Sequence, residues 1–314
     1  MKLPELRIGN LKPKYPIIQG GMAVRISTAP LAAAVANAGG IGLIAASGMD
    51  VEELKQEIRW ARENFRGIIG INIMFAVSKF TQLVYAALEE GIDLIVQGAG
   101  FSRDIFKWSS EAHTPLVPIV STPKLARVSE SLGASAVVVE GKEAGGHLGT
   151  LESIRKILPL VKQAISIPVI AAGGIIDALD MKEAFQLGAD GVQMGIRFAA
   201  SVESNAAPNL KEVYIKAKQE DIVLIDSPVG LRGRAIRNEF SEKINTEHDL
   251  TPESCVGCLK KCKQNFCIMD ALVNAQQGNL KNGLIFSGEY IDKITDILPA
   301  GEIIRKLVED YEKL

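Results

Sequence analysis

The 314-residue sequence predicts an α/β protein, a (β/α)8 barrel with a small, mainly helical lobe inserted after strand eight. Three observations predict it. Eight short, nearly continuous apolar runs rich in β-branched residues recur along the first two thirds of the chain, as parallel strands covered on both faces require. Helix-like stretches separate them, and strand starts recur about every 20 to 32 residues, the size of one βα unit. Glycine-rich segments follow the last three runs, and the loops after the last two strands are where a barrel of this kind commonly builds a phosphate site.

In chain order the strands are Pro16-Ile17-Ile18-Gln19, Gly42-Leu43-Ile44-Ala45, Ile69-Gly70-Ile71-Asn72-Ile73 and Leu94-Ile95-Val96-Gln97. Leu116-Val117-Pro118-Ile119-Val120, Ala136-Val137-Val138-Val139-Glu140, Pro168-Val169-Ile170-Ala171-Ala172 and Gly191-Val192-Gln193-Met194 complete the set. Residues 29–38, 51–64, 124–132 and 181–187 read as helices between them. A doubly wound open sheet would alternate in the same way, but the count of eight and the late glycine segments select the closed TIM barrel. After Phe198 the rhythm breaks. Residues 200–283 are polar, carry all four cysteines and contain no clear strand, so they read as helical. Beyond Pro299-Ala300-Gly301-Glu302, the residues Ile303, Ile304, Leu307, Val308 and Tyr311 form one apolar helix face that should pack back on the barrel. The expected division is residues 1–200 for the barrel, 201–283 for the lobe and 284–314 for the closing segment and last helix.

A net charge of −2, from 35 Lys+Arg against 37 Asp+Glu, lacks the basic footprint of a nucleic-acid or anionic-membrane binder. No run approaches the roughly 20 apolar residues of a membrane helix, and residues 1–18 have no apolar leader core. A cytoplasmic protein acting on small molecules is expected.

The glycine segments are Glu140-Gly141-Lys142-Glu143-Ala144-Gly145-Gly146-His147, Ala171-Ala172-Gly173-Gly174-Ile175 and Gln193-Met194-Gly195-Ile196-Arg197. Without a Cβ the backbone can approach a ligand and present N–H groups to an anion. Two such nests beside one polar loop point to a phosphorylated cofactor. Asn72 inside an apolar strand needs a partner for its amide, whether a ligand edge or a neighbouring strand. Glu140, ending a Val-Val-Val run, is either satisfied by a ligand or turned to solvent. His147 follows two glycines on the face where barrel enzymes do chemistry, and imidazole suits proton transfer near neutral pH. His113 and His248 have no such context and read as surface residues.

Gln19-Gly20-Gly21-Met22-Ala23, Gly39-Gly40-Ile41-Gly42, Gly70-Ile71-Asn72-Ile73-Met74, Gly98-Ala99-Gly100, residues 140–147 and residues 168–175 together resemble the nitronate monooxygenase (2-nitropropane dioxygenase) family. That family includes the flavin-dependent enoyl-acyl-carrier-protein reductases. The resemblance covers residues 14–240 and resumes near 283–289. It implies FMN held non-covalently at the C-terminal face of the barrel. Gly21, Met22 and Ala23 would lie under the flavin ring, Asn72 at its polar edge, Glu140 and Gly146 beside it, and Gly173, Gly174, Gly195 and Ile196 at the phosphate. His147 matches the family's catalytic histidine. Ile196 stands where relatives often have threonine, and Glu289 where the reductase has glutamine.

The implied activity is oxidative denitrification of alkyl nitronates, with NAD(P)H-dependent reduction of an enoyl thioester as the alternative. Residues 203–216 and 234–238 lean towards the reductase branch. An acyl carrier protein and a second copy of the chain are further candidate partners. A non-flavin nucleotide dehydrogenase on the same barrel fits less well, because the barrel portion lacks its loop cysteine. A non-catalytic flavin or redox sensor is the rival from another class.

Cys255, Cys258, Cys262 and Cys267 follow a C-x2-C-x3-C-x4-C spacing dense enough to converge on one centre, as an iron–sulfur cluster or zinc would require. Their first three resemble the cluster-binding run of flavin-barrel dienoyl reductases, whose fourth cysteine lies further away. Unliganded thiols packing a small lobe are the alternative. Lys260, Lys261 and Lys263 beside them would suit an acidic carrier or merely a solvated face.

Overall fold

The computed structural model describes residues 1–246 and 250–314. Eight parallel strands close into a barrel: β1 (Ile17–Gln19), β2 (Ile41–Ala45), β3 (Ile68–Met74), β4 (Leu94–Gly98), β5 (Leu116–Val120), β6 (Val137–Glu140), β8 (Val169–Ala172) and β9 (Gly191–Met194). Closure is by β1 against β9, in the register Ile17 to Val192 and Gln19 to Met194. The short β7 (Gly146–Leu148) interrupts the numbering and stands outside the barrel. Each of the eight expected strands is present.

Around the barrel run α1 (Ala29–Asn37), α2 (Val51–Asn64), α3 (Phe80–Glu89), α4 (Asp104–Glu111), α5 (Pro123–Ser131), α6 (Ile154–Lys162) and α7 (Ala178–Gln186). Local chemistry sets several starts. Asp50 and Glu53 form a reciprocal capping box on α2, Asp177 and Asp180 do the same on α7, and Thr122 caps α5 ahead of a proline in its first turn. The barrel interior is filled by residues such as Ile18, Leu43, Leu94, Val96, Val138 and Ile170. Leu6 and Ile8 join them from a small turn, where Gly191 at the start of β9 lies against Leu6. The N-terminal end of the barrel is therefore plugged, and the opposite end is left for ligands.

After β9 come α8 (Ile196–Ala199), α9 (Pro208–Lys216), β10 (Ile222–Asp226), β11 (Arg232–Ile236), α10 (Glu239–Thr246), α11 (Ile268–Gln276) and α12 (Ala300–Lys313). The lobe is mainly helical, but it also holds the antiparallel ribbon β10–β11, where the sequence offered no clear strand. β11 pairs on its other side with β7, setting Gly233 opposite His147 and Arg234 opposite Gly146. The polar Arg-Gly-Arg stretch is a strand because β7 and β10 satisfy both of its edges, a tertiary cause that local pattern does not carry. Helix α12 returns to the barrel as expected, burying Ile303, Ile304, Leu307, Val308 and Tyr311 in the same cluster as Val35 and Met181. Among the described residues no helix is long and apolar enough to cross a membrane.

Candidate active site

At the C-terminal end of the barrel the strand ends and the lobe enclose a cavity of about 490 Å³, within the range of cofactor and ligand sites. The loop after β1 brings Gly21, Met22 and Ala23 to it. Asn72 comes from the end of β3, Glu140 from the end of β6, Gly146 and His147 from β7, Gly173 and Gly174 from after β8, and Gly195 and Ile196 from after β9. Every residue expected to bind the cofactor or act in catalysis thus lines one cavity. The cysteines do not. They lie on the lobe against residues 76–78 and are free thiols. Among the described residues no three metal-ligating side chains close around a single ion. His113 is exposed, and His248 lies outside the described residues.

The first wall is built by close approach. Gln19 inside the barrel donates to Ser27 Oγ at 3.0 Å and to Leu43 O at 3.2 Å, while Ser27 Oγ accepts from Met22 N at 3.0 Å. These bonds hold the loop down on Asn72. A Cβ on Gly21 would stand 2.2 Å from Asn72 Cβ, so only glycine permits the contact. The second wall is the pair of nests. Gly174 has φ +73° and packs under Tyr290 and Glu143. Among the described residues the amides of Gly174, Gly195 and Ile196 donate no hydrogen bond within the protein, which leaves three donors for an anion. Ile196 brings no side-chain donor, so its share of the nest is this backbone amide.

The remaining polar groups are also unspent. The amide of Asn72 and the carboxyl of Glu140 have no hydrogen-bond partner among the described residues, and Gln193 Oε1 is buried without one. Polar atoms left without partners inside a cavity ask for a ligand rich in donors and acceptors. A phosphorylated, hydrogen-bonding ring system such as FMN fits them.

His147 is held from the lobe. Its Nε2 shares a hydrogen bond of 2.7 Å with Ser227 Oγ, in the turn between β10 and β11, with the direction set by the tautomer. The ring of Phe286 meets it edge-on at 5.1 Å. Nearby, Arg234 donates to Lys142 O at 2.8 Å and faces Glu289 at 3.4 Å, and Glu289 N donates to Glu143 O at 3.0 Å. Residues 286–290 are thereby drawn across the cavity. Ser227, Phe286 and Tyr290 escape sequence reasoning because they arrive through the ribbon and this return. Gln193 carries the same signal as Asn72, a polar side chain in an apolar strand.

Both titratable groups open onto the cavity rather than the outer surface, so the area they expose is still ringed by protein. Desolvation pushes the Glu140 carboxyl up from 4.5 to about 7 and the His147 imidazole down from 6.5 to about 4. His147 is therefore neutral at pH 7, a hydrogen-bonding group or base. In the flavin-free protein, the stabilisation from protonated Glu140 is complete below pH 4.5 and lost as pH rises through about 7. The contribution of neutral His147 is complete above pH 6.5 and lost as pH falls through about 4. Glu140→Gln removes only the first. Its melting temperature should gain on the wild-type value as pH rises from 4.5 to about 7, then hold a constant lead. A difference independent of pH would return the carboxyl to ordinary solvation.

The nitronate monooxygenase family profile matches residues 5–84 and 62–310. The chain belongs to the nitronate monooxygenase family. A probable nitronate monooxygenase of Staphylococcus saprophyticus is 31% identical over 300 residues, covering 81% of this chain and 84% of that protein. One from Staphylococcus aureus is 32% identical over 282 residues, covering 74% and 78%. FabK from Thermotoga maritima superposes with a TM-score of 0.88 at 34% identity, covering 96% of this chain and 94% of that one. Nitroalkane oxidase of Streptomyces ansochromogenes, 23% identical with a TM-score of 0.82, shares the fold. The family is one of flavin-dependent oxidoreductases.

Proposed function

We propose that this chain is an NAD(P)H-dependent FMN enzyme that reduces enoyl thioesters. The observation that carries the proposal is the apolar part of the cavity lining. Besides the polar groups that suit a flavin, the cavity is lined by Leu210 and Tyr214 of α9, Leu272 and Ala275 of α11, and Ile26 and Leu284. An acyl chain packs on such a lining, whereas a small nitronate leaves it without contact. The 34% identity to FabK across nearly the whole chain supports the same branch.

When bound, FMN would supply hydride transfer to the electron-poor alkene of the substrate, with a solvent proton completing the reduction at the neighbouring carbon. The chain supplies the rest. The amides of Gly174, Gly195 and Ile196 hold the phosphate, the backbone of Gly21, Met22 and Ala23 supports the ring, and Asn72 pairs with its edge. Glu140 donates a hydrogen bond to the cofactor when protonated and accepts one when ionised. Gly146 keeps the backbone before His147 close to the cavity wall. Ser227 occupies Nε2 of His147, leaving the other ring nitrogen to orient the thioester.

Oxidative denitrification of alkyl nitronates is the second reading, favoured by the names of the Staphylococcus relatives. A neutral His147 would orient the nitronate. The two separate in one pair of assays. NAD(P)H oxidation is followed without oxygen on crotonyl thioester and longer enoyl thioesters, and nitrite release is followed in air on a nitronate. The proposal expects turnover on the thioesters, with kcat/KM rising roughly fourfold per added methylene until the cavity is filled. Nitrite release without thioester reduction would favour the second reading, and one oxidation per chain without turnover would make the protein a flavin sensor.

A further inference from the structure

The cysteine segment is absorbed by neither reading of the cavity. From residue 251 to 265 no side chain is buried, and Val256 is 74% exposed, so little apolar burial holds this stretch in its conformation. It nevertheless takes the same turn twice. In Cys255-Val256-Gly257 and in Cys262-Lys263-Gln264 the third residue is left-handed, at φ +64° and +58°, and its amide donates to the cysteine sulfur two positions earlier at 3.4 Å. Gln264 has a Cβ, so its left-handed backbone carries a cost that something must offset. Amides turned onto sulfur are what a thiolate bound to metal needs, since hydrogen bonds to the sulfurs stabilise and tune the centre.

Cys258 stands between these two turns, and Cys267 stands at the N-cap of α11. The four sulfurs do not close around one ion. A single zinc, at Zn–S distances of about 2.3 Å, would bring its ligands to within about 4 Å of one another. A cluster of several irons lets each sulfur bind its own metal, so the set can stand wider.

We propose that Cys255, Cys258, Cys262 and Cys267 bind a [4Fe–4S] cluster. The site is docked on the rim of the flavin-family cavity. Ser78 N donates to Cys258 O at 3.0 Å and Lys260 N to Ala76 O at 2.9 Å, pinning the segment to the loop after β3, whose Met74 lines the cavity. Lys260 adds its ammonium over the rings of Phe75 and Phe80, at 3.6 and 4.7 Å. The cluster would thus sit one loop away from the cavity wall. This inference does not depend on which substrate the cavity takes.

The test uses the full chain, purified without oxygen and reconstituted with ferrous iron and sulfide. About four irons and four acid-labile sulfides per chain are expected, with a visible absorbance that dithionite bleaches and a low-temperature EPR signal from the reduced protein. Cys258→Ser should lose the iron and sulfide while keeping the wild-type circular dichroism. Should that variant fail to fold, the exposed Cys255→Ser carries the same reading. Wild-type protein that takes up no iron and sulfide, that holds one zinc per chain against iron, or whose folded cysteine variants keep the full cluster would overturn the proposal.

Discussion

Replacing His147 by alanine is expected to leave the flavin content unchanged and to lower turnover on the order of 10²-fold, the scale of lost substrate positioning. The separation of the two effects follows from how the site is built. Cofactor contacts are assigned to backbone groups of the loops after β1, β8 and β9 and to the Asn72 and Glu140 side chains, whereas the imidazole is held by Ser227. β7 keeps its pairing with β11 through backbone hydrogen bonds at Gly233 and Arg234, so the strand survives loss of the side chain. What disappears is the ring between Ser227 and Phe286. Steady-state kinetics and the flavin-to-protein ratio of the same preparation read both. A variant with near-normal kcat would leave His147 as a packing residue of the ribbon.

Gly174→Val is expected to empty the flavin site while the barrel stays folded. A Cβ there would lie 2.9 Å from Tyr290 Cε2 and 3.0 Å from Glu143 Cβ, at φ +73°, so the loop must move and take its free amide with it. Gly91→Val separates strain from obstruction. Gly91 has φ +70° but nothing within 4 Å of its added Cβ, and it lies away from the cavity. Both variants lose backbone freedom, and only Gly174→Val should lose flavin, read as flavin released on denaturation. Full occupancy in Gly174→Val would move the phosphate to another part of the cavity.

The barrel was legible because parallel strands buried on both faces leave uninterrupted apolar runs, and because glycine marks each loop where backbone meets ligand. Asn72 was legible as a polar group inside such a run and Glu140 as one at its end. Gln193 gives the same signal from inside its strand. The ribbon was not legible. Arg232, Gly233 and Arg234 have no strand pattern of their own, and their conformation is set by β7, about 85 residues earlier in the chain. Ser227 and Phe286 depend on that pairing and were hidden with it. The four cysteines were visible by spacing, while their two matched turns became evident only from backbone angles and amide directions.

If this cavity holds FMN and passes its electrons to an enoyl thioester, the two half-reactions can be followed separately. Protein reconstituted with FMN is reduced by one equivalent of NAD(P)H in the absence of oxygen and then mixed with crotonyl thioester while the flavin absorbance is followed. The absorbance should bleach with the first reagent and return with the second, yielding one saturated thioester per flavin. Protein that binds no FMN, or reduced flavin that ignores the thioester and is reoxidised only when oxygen is admitted, would contradict it.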